Sequence, residues 1–301
     1  MLGLDWGTTS FRAYCIDAQG AVLALRTAPA GILKVPSGAF EAALEREVGD
    51  WLEAEPGLPI IASGMITSRQ GWLEVPYCPC PAGSAELAAG LLRHETARGR
   101  AIHFVPGLSI VGADDVPDVM RGEETQIVGA VGDAAGRRLL VLPGTHSKWV
   151  RAEDGRITWF ATFMTGEVFA VLKEHSILGR LMEGDRPDDA AFTRGLAHAR
   201  EGAGGLLRKL FSARTLALFD RLPAEGIASY LSGLLIGTEI AEALGCLELP
   251  NDVEITVIVE GALCERYLTA IAAAGLSGRP AAEHASARGQ FLIAQAAGLI
   301  R

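Results

Sequence analysis

The sequence predicts an α/β protein in two halves, each a mixed sheet flanked by helices. Three observations predict it. Three apolar strands open the chain, and the first of them feeds an acid and a Gly-Thr turn. A second set of three strands, with its own Gly-Thr turn, begins near residue 138. Elsewhere, short buried strands alternate with segments of helical apolar spacing, the pattern of a sheet with helices on its faces.

The first strand carries Leu2 and Leu4 and reaches Asp5. Gly7, Thr8, Thr9 and Ser10 form the turn, and residues 11–16 return as the second strand of a hairpin. Residues 21–28 extend it to a meander. A helix over 38–55 places Phe40, Ala43, Leu44, Val48 and Leu52 on one face, with Ser37 as its N-cap. A buried strand over 59–62 runs into a loop from Ser63 to Trp72 that holds Arg69 and Gln70. Irregular chain over 76–81, a helix over 84–98 and a strand over 101–106 follow. Residues 107–121 read as loop, and the domain boundary is placed there, giving domains 1–118 and 119–301. A helix over 123–131 leads to a strand over 139–142, the turn from Pro143 to Lys148 and a return strand over 149–151. Asp154-Gly155 is a hairpin signal, and a third strand covers 157–163. Four helical segments come next, over 166–175, 187–199, 204–219 and 223–244. A buried strand over 253–259 ends at Glu260-Gly261. Helices over 262–274 and 287–300 close the chain, and the last is free to pack back on the first domain. The repeat of strand, Gly-Thr turn and meander is one of architecture, with little identity behind it.

Composition narrows the function. With 49% hydrophobic and 21% charged residues, 301 residues can bury one large or two medium cores. A net charge of −9 argues against a nucleic-acid partner and against an anionic membrane surface. The N-terminus lacks a signal-like core, and no uninterrupted apolar run approaches the about 18 residues of a membrane span. Five cysteines, an odd number without framework spacing, predict free thiols and a cytoplasmic location. Cys78-Pro79-Cys80 has no second Cys or His cluster to complete a zinc site.

The chemistry gathers at the turns. Glycine lets backbone come close to an anion, and small hydroxylated residues add donors, so both turns can bind phosphate. Asp5 is placed to hold a hydrated Mg²⁺ that bridges phosphate oxygens. The plainer reading is an ordinary Gly-Thr turn. Neither a P-loop nor a Rossmann fingerprint is present. Gly261 ends a strand and opens a helix, where a nucleotide could approach the backbone; alone it reads as a strand-to-helix turn. Glu123 and Glu124 fall in the first turn of a helix. They either complement its dipole or supply a carboxylate that takes a hydroxyl proton during phosphoryl transfer. Arg69 and Arg121 lie in Gly-flanked loops and can pair with a substrate carboxylate or stand solvated. His146 and Lys148 flank the second turn, where His146 is a general base or a polar turn residue.

Together these strings resemble the sugar-kinase branch of the fold shared by actin, hexokinase and the Hsp70 ATPase domain. Leu4-Asp5-Trp6-Gly7-Thr8-Thr9-Ser10 is similar to its phosphate-1 motif. Leu140-Val141-Leu142-Pro143-Gly144-Thr145-His146-Ser147 is similar to phosphate 2, and Ile258-Val259-Glu260-Gly261-Ala262 to the adenosine motif. Four longer strings resemble the compact 2-dehydro-3-deoxygalactonokinase family: Gly64 to Trp72, Met120 to Gln126, Pro143 to Trp149 and Tyr230 to Gly237.

The resemblance implies two actin-like ATPase (ribonuclease H-like) domains with the active site in the interdomain cleft. It implies ATP and Mg²⁺ as cofactors and a sugar acid as substrate, with a homodimer allowed. Asp5 would hold the metal. Gly7, Thr8, Thr9, Ser10, Gly144, Thr145, Gly261 and Ala262 would bind the nucleotide. Arg69, Gln70, Trp72 and Arg121 would meet the sugar acid, with Arg69 first in line for its carboxylate. Glycerol- and xylulose-kinase-like proteins carry a Gly-Asp-Gln-Gln run whose aspartate is the catalytic base. Here Gly122-Glu123-Glu124-Thr125-Gln126 stands in that place, so Glu123 is the implied base, one methylene longer. Asp114, Asp115 and Asp118 are the reserve candidates. The implied reaction is phosphorylation of the 6-hydroxyl of 2-dehydro-3-deoxygalactonate. A kinase for another sugar or 2-keto-3-deoxy sugar acid, or a non-catalytic actin-like nucleotide-binding module, are the alternatives.

Overall fold

The computed structural model describes all residues except 37, 113, 185, 202–203, 248–252 and 301. The expected N-cap Ser37 lies outside the described residues. In chain order the strands and helices of the first part are β1 (Leu2–Trp6), β2 (Phe11–Ile16), β3 (Val22–Ala28), α1 (Phe40–Ala54), β4 (Ile60–Ser63), β5 (Cys78–Pro79), α2 (Ser84–Ala89), β6 (Leu92–Glu95), β7 (Ala101–Phe104), β8 (Leu108–Val111), β9 (Pro117–Met120) and α3 (Glu123–Val131). Then come β10 (Arg137–Leu142), β11 (Ser147–Glu153), β12 (Arg156–Phe163), α4 (Thr165–His175), α5 (Asp189–Arg200), α6 (Leu206–Leu210), α7 (Ser212–Leu218), α8 (Ile227–Cys246), β13 (Glu254–Val257), α9 (Ala262–Ala273), β14 (Ser277–Pro280) and α10 (Ala285–Ala296). The chain forms two compact units. One holds Met1–Arg138, Val150–Phe160 and Ala281–Arg301; the other holds Leu139–Trp149 and Ala161–Pro280. Sequence reasoning set the division at 118/119; here α3 and α10 both belong to the first unit.

The first large sheet has the order β3-β2-β1-β4-β7-β6. β1 pairs antiparallel with β2 and parallel with β4, which places Asp5 opposite both Arg12 and Ser63. Its two faces are covered differently. Leu2, Leu4 and Trp6 point to one side and join Phe40, Ala43, Leu44, Val48 and Leu52 of α1 in the core. Gly3 and Asp5 point to the other, toward Gln290 and Ser286 of α10. The second large sheet has the order β12-β11-β10-β13-β14, with β10, β13 and β14 parallel. Each sheet therefore places its Gly-Thr strand at the middle, where a parallel neighbour follows the meander.

Glycine sets the helix packing in each unit. A Cβ on Gly129 of α3 would sit 1.9 Å from the Ala285 carbonyl oxygen, and one on Gly289 of α10 would sit 1.8 Å from that of Thr125. In the second unit, a Cβ on Gly195 of α5 or Gly233 of α8 would sit 2.1 Å from the carbonyl oxygen of Tyr230 or Phe192. These pairs cross backbone on backbone because no side chain intervenes. α8 is apolar and long enough to cross a membrane, yet 72% of its most apolar stretch is buried within the protein. It is the central helix of the second unit.

Several expectations change. The helix expected over 84–98 stops at Ala89 with Gly90 as its C-cap, where a Cβ would meet the Pro106 ring at 2.9 Å. Residues beyond it form β6, antiparallel to β7 around a turn with Gly99 at φ 73°. β6 is an exposed edge strand, so its charged residues resemble a solvated helix face. The loop expected over 107–121 is largely the β8–β9 hairpin, which joins β5 in a three-stranded sheet. The helix over 204–219 is two, α6 and α7, and β14 was not anticipated.

Candidate functional site

The first turn is clamped by its carbonyls. The oxygens of Gly7, Thr8 and Thr9 accept from the N–H groups of Ile32, Leu33 and Gly31, at 3.0, 3.3 and 3.2 Å. Gly31 is pressed so closely that a Cβ there would sit 2.3 Å from the Thr8 oxygen. With the carbonyls held inward, Thr8, Thr9 and Ser10 are exposed, and their hydroxyls make no hydrogen bond among the described residues. That is the arrangement an anion site needs.

Asp5 sits at the root of this turn. Its Oδ2 accepts from the Ser286 hydroxyl at 3.0 Å and lies 3.5 Å from an Arg12 nitrogen. Burial pushes its carboxyl up, while Arg12 and the Ser286 hydroxyl pull it back. Gln290, fully buried, donates to the Leu4 carbonyl at 2.8 Å and to the Ser63 hydroxyl at 2.9 Å. Ser286 and Gln290 were missed in the sequence because they stand on the last helix, remote from any motif.

Two glycines of positive φ bring the head of α3 toward Asp5. A Cβ on Gly64, φ 96°, would meet the Trp6 carbonyl at 2.9 Å and Asp5 Oδ1 at 3.4 Å. A Cβ on Gly122, φ 107°, would meet the Gly64 Cα at 3.1 Å. The end of β1, the start of the 64–72 loop and the start of α3 thus converge on one another. Glu123 is half-buried, and its Oε2 accepts from the Arg121 N–H at 2.9 Å. Glu124 is buried, accepting from the Gly122 N–H at 2.6 Å and the Thr125 hydroxyl at 2.9 Å. Burial, and then the neighbouring Glu123, push its carboxyl up to about 8. The two acids therefore differ in setting: Glu124 is buried and tends to hold its proton, while Glu123 is half-buried. Asp114 and Asp115 sit at the exposed turn of the β8–β9 hairpin, and Asp118, within β9, accepts from the Val119 N–H at 2.7 Å.

The 64–75 loop is folded on itself. Trp72, Gly71 and Val75 donate backbone N–H groups to Ile66, Ser68 and Thr67. A Cβ on Gly71 would sit 2.1 Å from the Ile66 oxygen. Trp72 turns inward, stacked on Phe40 and edge-on to Phe104 and His94. Arg121 braces the loop: its guanidinium donates to the Thr67 carbonyl and hydroxyl at 2.7 Å and to the Val75 carbonyl at 2.9 Å, and it covers the Tyr77 ring. Arg121 and Trp72, expected to meet substrate, make these contacts within the first unit. Arg69, Gln70 and Glu74 are the exposed side chains of this stretch, with Arg69 loosely paired to Glu74 at 3.4 Å.

In the second unit the turn after β10 repeats the clamp. Thr145 accepts from the Glu167 N–H at 2.9 Å, and a Cβ on Gly166 would sit 2.3 Å from the Gly144 oxygen. Gly166 stands to this turn as Gly31 stands to the first. Gly144, Thr145 and His146 are exposed, and His146 pairs with Glu167 at 2.5 Å. Lys148 is buried and donates to the Thr162 hydroxyl at 2.7 Å. Below the turn lies Glu239 of α8, 2% exposed, which sequence reasoning did not single out. Gly261, φ 70°, opens α9 with space above it, and Ala262 is exposed.

A family model described as 2-keto-3-deoxy-galactonokinase matches residues 5–293. The chain is 40% identical over 281 residues to a Rhizobium meliloti (strain 1021) protein named a probable 2-dehydro-3-deoxygalactonokinase, covering 92% of this chain and 90% of the relative. It is 35% identical over 274 residues to the 2-dehydro-3-deoxygalactonokinase of Escherichia coli (strain K12), covering 91% and 90%. A crystal structure from Sinorhizobium meliloti, described as a candidate for the same activity, matches with a TM-score of 0.90 at 39% identity over 98% of both chains. The ADPNP-bound activator of the 2-hydroxyisocaproyl-CoA dehydratase from Clostridium difficile matches with a TM-score of 0.51 at 12% identity, covering 99% and 96%. That last likeness bears on the fold alone, which is the actin-like ATPase and sugar-kinase fold.

Proposed function

The chain belongs to the 2-keto-3-deoxy-galactonokinase family, and from that membership we infer that it is a 2-dehydro-3-deoxygalactonokinase, moving the γ-phosphoryl group of ATP to the 6-hydroxyl of the sugar acid. The observation that carries the reading is the family match along nearly the whole chain, together with two turns whose carbonyls are held inward and whose donors are exposed.

In this reading Gly7, Thr8, Thr9 and Ser10 bind phosphate oxygens, as do Gly144 and Thr145. Gly261 and Ala262 admit the adenosine. Asp5 fits a Mg²⁺ that arrives with ATP, because such an ion keeps most of its water and takes one or two carboxylates plus phosphate oxygens. Bound there, Mg²⁺ would neutralise charge on the phosphates. Glu123, the more open of the two acids, accepts the proton of the 6-hydroxyl. The sugar's 6-oxygen then bonds to the γ-phosphorus while the bond from that phosphorus to the β,γ-bridging oxygen breaks and ADP leaves with the electron pair. Arg69 and Gln70 receive the sugar acid, the guanidinium meeting the carboxylate. Arg121 and Trp72 hold their loop in place. ATP as co-substrate and a catabolic sugar acid fit a cytoplasmic location.

Glu123→Gln tests the assignment of the base. Its kcat should fall by about 10²–10⁴ while ATP binds as before, and near-normal turnover would remove Glu123 from the role. Arg69→Ala should raise KM for the acid by about 10–100-fold, the loss of one charge-assisted hydrogen bond, and leave KM for ATP in place. Equal rises in both would count against it.

A further inference from the structure

Glu239 is a buried carboxylate on the central helix of the second unit, and everything facing it donates. The Ser147 hydroxyl and the Trp149 indole N–H reach Oε1 at 2.8 and 2.7 Å. The Tyr267 hydroxyl reaches Oε2 at 2.7 Å, and the Thr165 side chain completes the set. Burial pushes this carboxyl up, and the hydrogen bonds of Thr165, Tyr267, Trp149 and Ser147 pull it back. The four donors come from three elements. Ser147 and Trp149 begin β11, directly after the Gly144-Thr145 turn. Thr165 opens α4, whose next residue, Gly166, is pressed against that turn. Tyr267 lies on α9, the helix that Gly261 opens.

A buried acid of this kind is a poor way to gain stability, since an apolar group of equal volume does as well or better. It is a good way to fix geometry, because each donor has one place to go. We propose that Glu239 is a positioning residue for the nucleotide: through Ser147, Thr165 and Tyr267 it holds the phosphate turn and the adenosine helix in one fixed relation. The proposal rests on the kinase reading and names, within it, what sets the spacing between two parts of the ATP site. Glu239 itself touches no substrate.

The test measures ATP affinity by calorimetry, without sugar acid, in the wild type and three variants. Glu239→Gln keeps the shape but presents an amide N–H₂ where donors must be accepted. Tyr267→Phe removes the hydroxyl of α9, with its bond to Glu239 at 2.7 Å and its contact with Ser147 Oγ at 3.3 Å. Leu196→Ala, a buried side chain of the α5–α8 packing that makes no hydrogen bond to Glu239, is the control for general loss of stability. The expected result is about a tenfold weaker ATP affinity in Glu239→Gln and Tyr267→Phe, with Leu196→Ala binding ATP as the wild type does despite a lower Tm. Tyr267→Phe should also bind inorganic tripolyphosphate with unchanged affinity, since the phosphate turn keeps its own bonds to Glu239. Normal ATP affinity in either Glu239→Gln or Tyr267→Phe overturns the proposal, as does an equal loss in Leu196→Ala. If Glu239→Gln does not fold, Tyr267→Phe decides by the same criteria. A wild type that binds no ATP would instead overturn the kinase reading.

Discussion

Replacing Gly289 by alanine probes how the first unit aligns its acids. The new Cβ would lie 1.8 Å from the Thr125 carbonyl oxygen and 2.8 Å from its carbon. Real Cβ contacts essentially never fall below 3.0 Å, so α3 and α10 must separate by more than an ångström at this point. Alanine itself favours a helix over glycine by about 1 kcal/mol. Overpacking of a tight contact costs about 1–3 kcal/mol, and a backbone obstacle takes the upper end, so the net change should be destabilising by about 2 kcal/mol. The functional effect should be larger. Thr125 follows Glu123 and Glu124 in the first turn of α3, and α10 carries Ser286 and Gln290, which hold Asp5 and Leu4. A shift of about 1 Å in a reacting group can cost about 100-fold in rate. Thermal melting and a coupled ATP assay on Gly289→Ala should show a Tm lower by several degrees and kcat lower by one to two orders of magnitude. An unchanged Tm and unchanged kcat would mean that the helices do not meet backbone on backbone.

Gly31→Ala and Gly166→Ala should each raise KM for ATP by tenfold or more, because each Cβ would fall 2.3 Å from a carbonyl oxygen of its turn; steady-state kinetics with saturating sugar acid reads this, and unchanged values would show that the turns do not need their clamps. Glu124 in the folded chain keeps its proton to about pH 8, against 4.5 for an unperturbed glutamate. Its contribution to stability is therefore lost as pH rises from about 4.5 to 8 and is level above, at about 1.4 kcal/mol per pH unit for one proton. Glu124→Gln should flatten urea-melt stability across that window by one proton's worth, leaving the slope that Asp5 and Glu239, shifted the same way, still supply; an unaltered slope would put Glu124's ionisation elsewhere. Arg121→Lys should lose the fork that spans Thr67 and Val75 and lower Tm, with a smaller change in KM for the acid than Arg69→Ala; the reverse ranking would restore Arg121 as the substrate's partner.

What the sequence made legible was local. Each Gly-Thr turn is a short string whose residues do their work beside one another, so Gly7 to Ser10 and Pro143 to Ser147 could be read as paired features without the fold. The same holds for Gly122 to Glu124. What could not be read depends on partners far along the chain. Glu239 gains its meaning only when β11, α4, α8 and α9 are assembled, and in sequence it is an isolated acid in an apolar helix. Ser286 and Gln290 likewise acquire a role only when α10 lies on β1. Arg121 and Trp72 show the same dependence: Arg121 bonds Thr67 and Val75, and Trp72 packs on Phe40, His94 and Phe104, contacts that no local string displays. The strand β6 was misread because an exposed edge and a solvated helix face share a composition.

The central claim is transfer of phosphate to one particular acid, and product analysis tests it most directly. The wild-type protein with ATP and Mg²⁺ is given 2-dehydro-3-deoxygalactonate, a related 2-keto-3-deoxy sugar acid and a neutral hexose, and ³¹P NMR follows the phosphate. ADP should form in equal amount to a 6-phosphomonoester, fastest from 2-dehydro-3-deoxygalactonate. ATP hydrolysis to free phosphate that no sugar acid stimulates, or a neutral sugar phosphorylated faster than the acids, would contradict it.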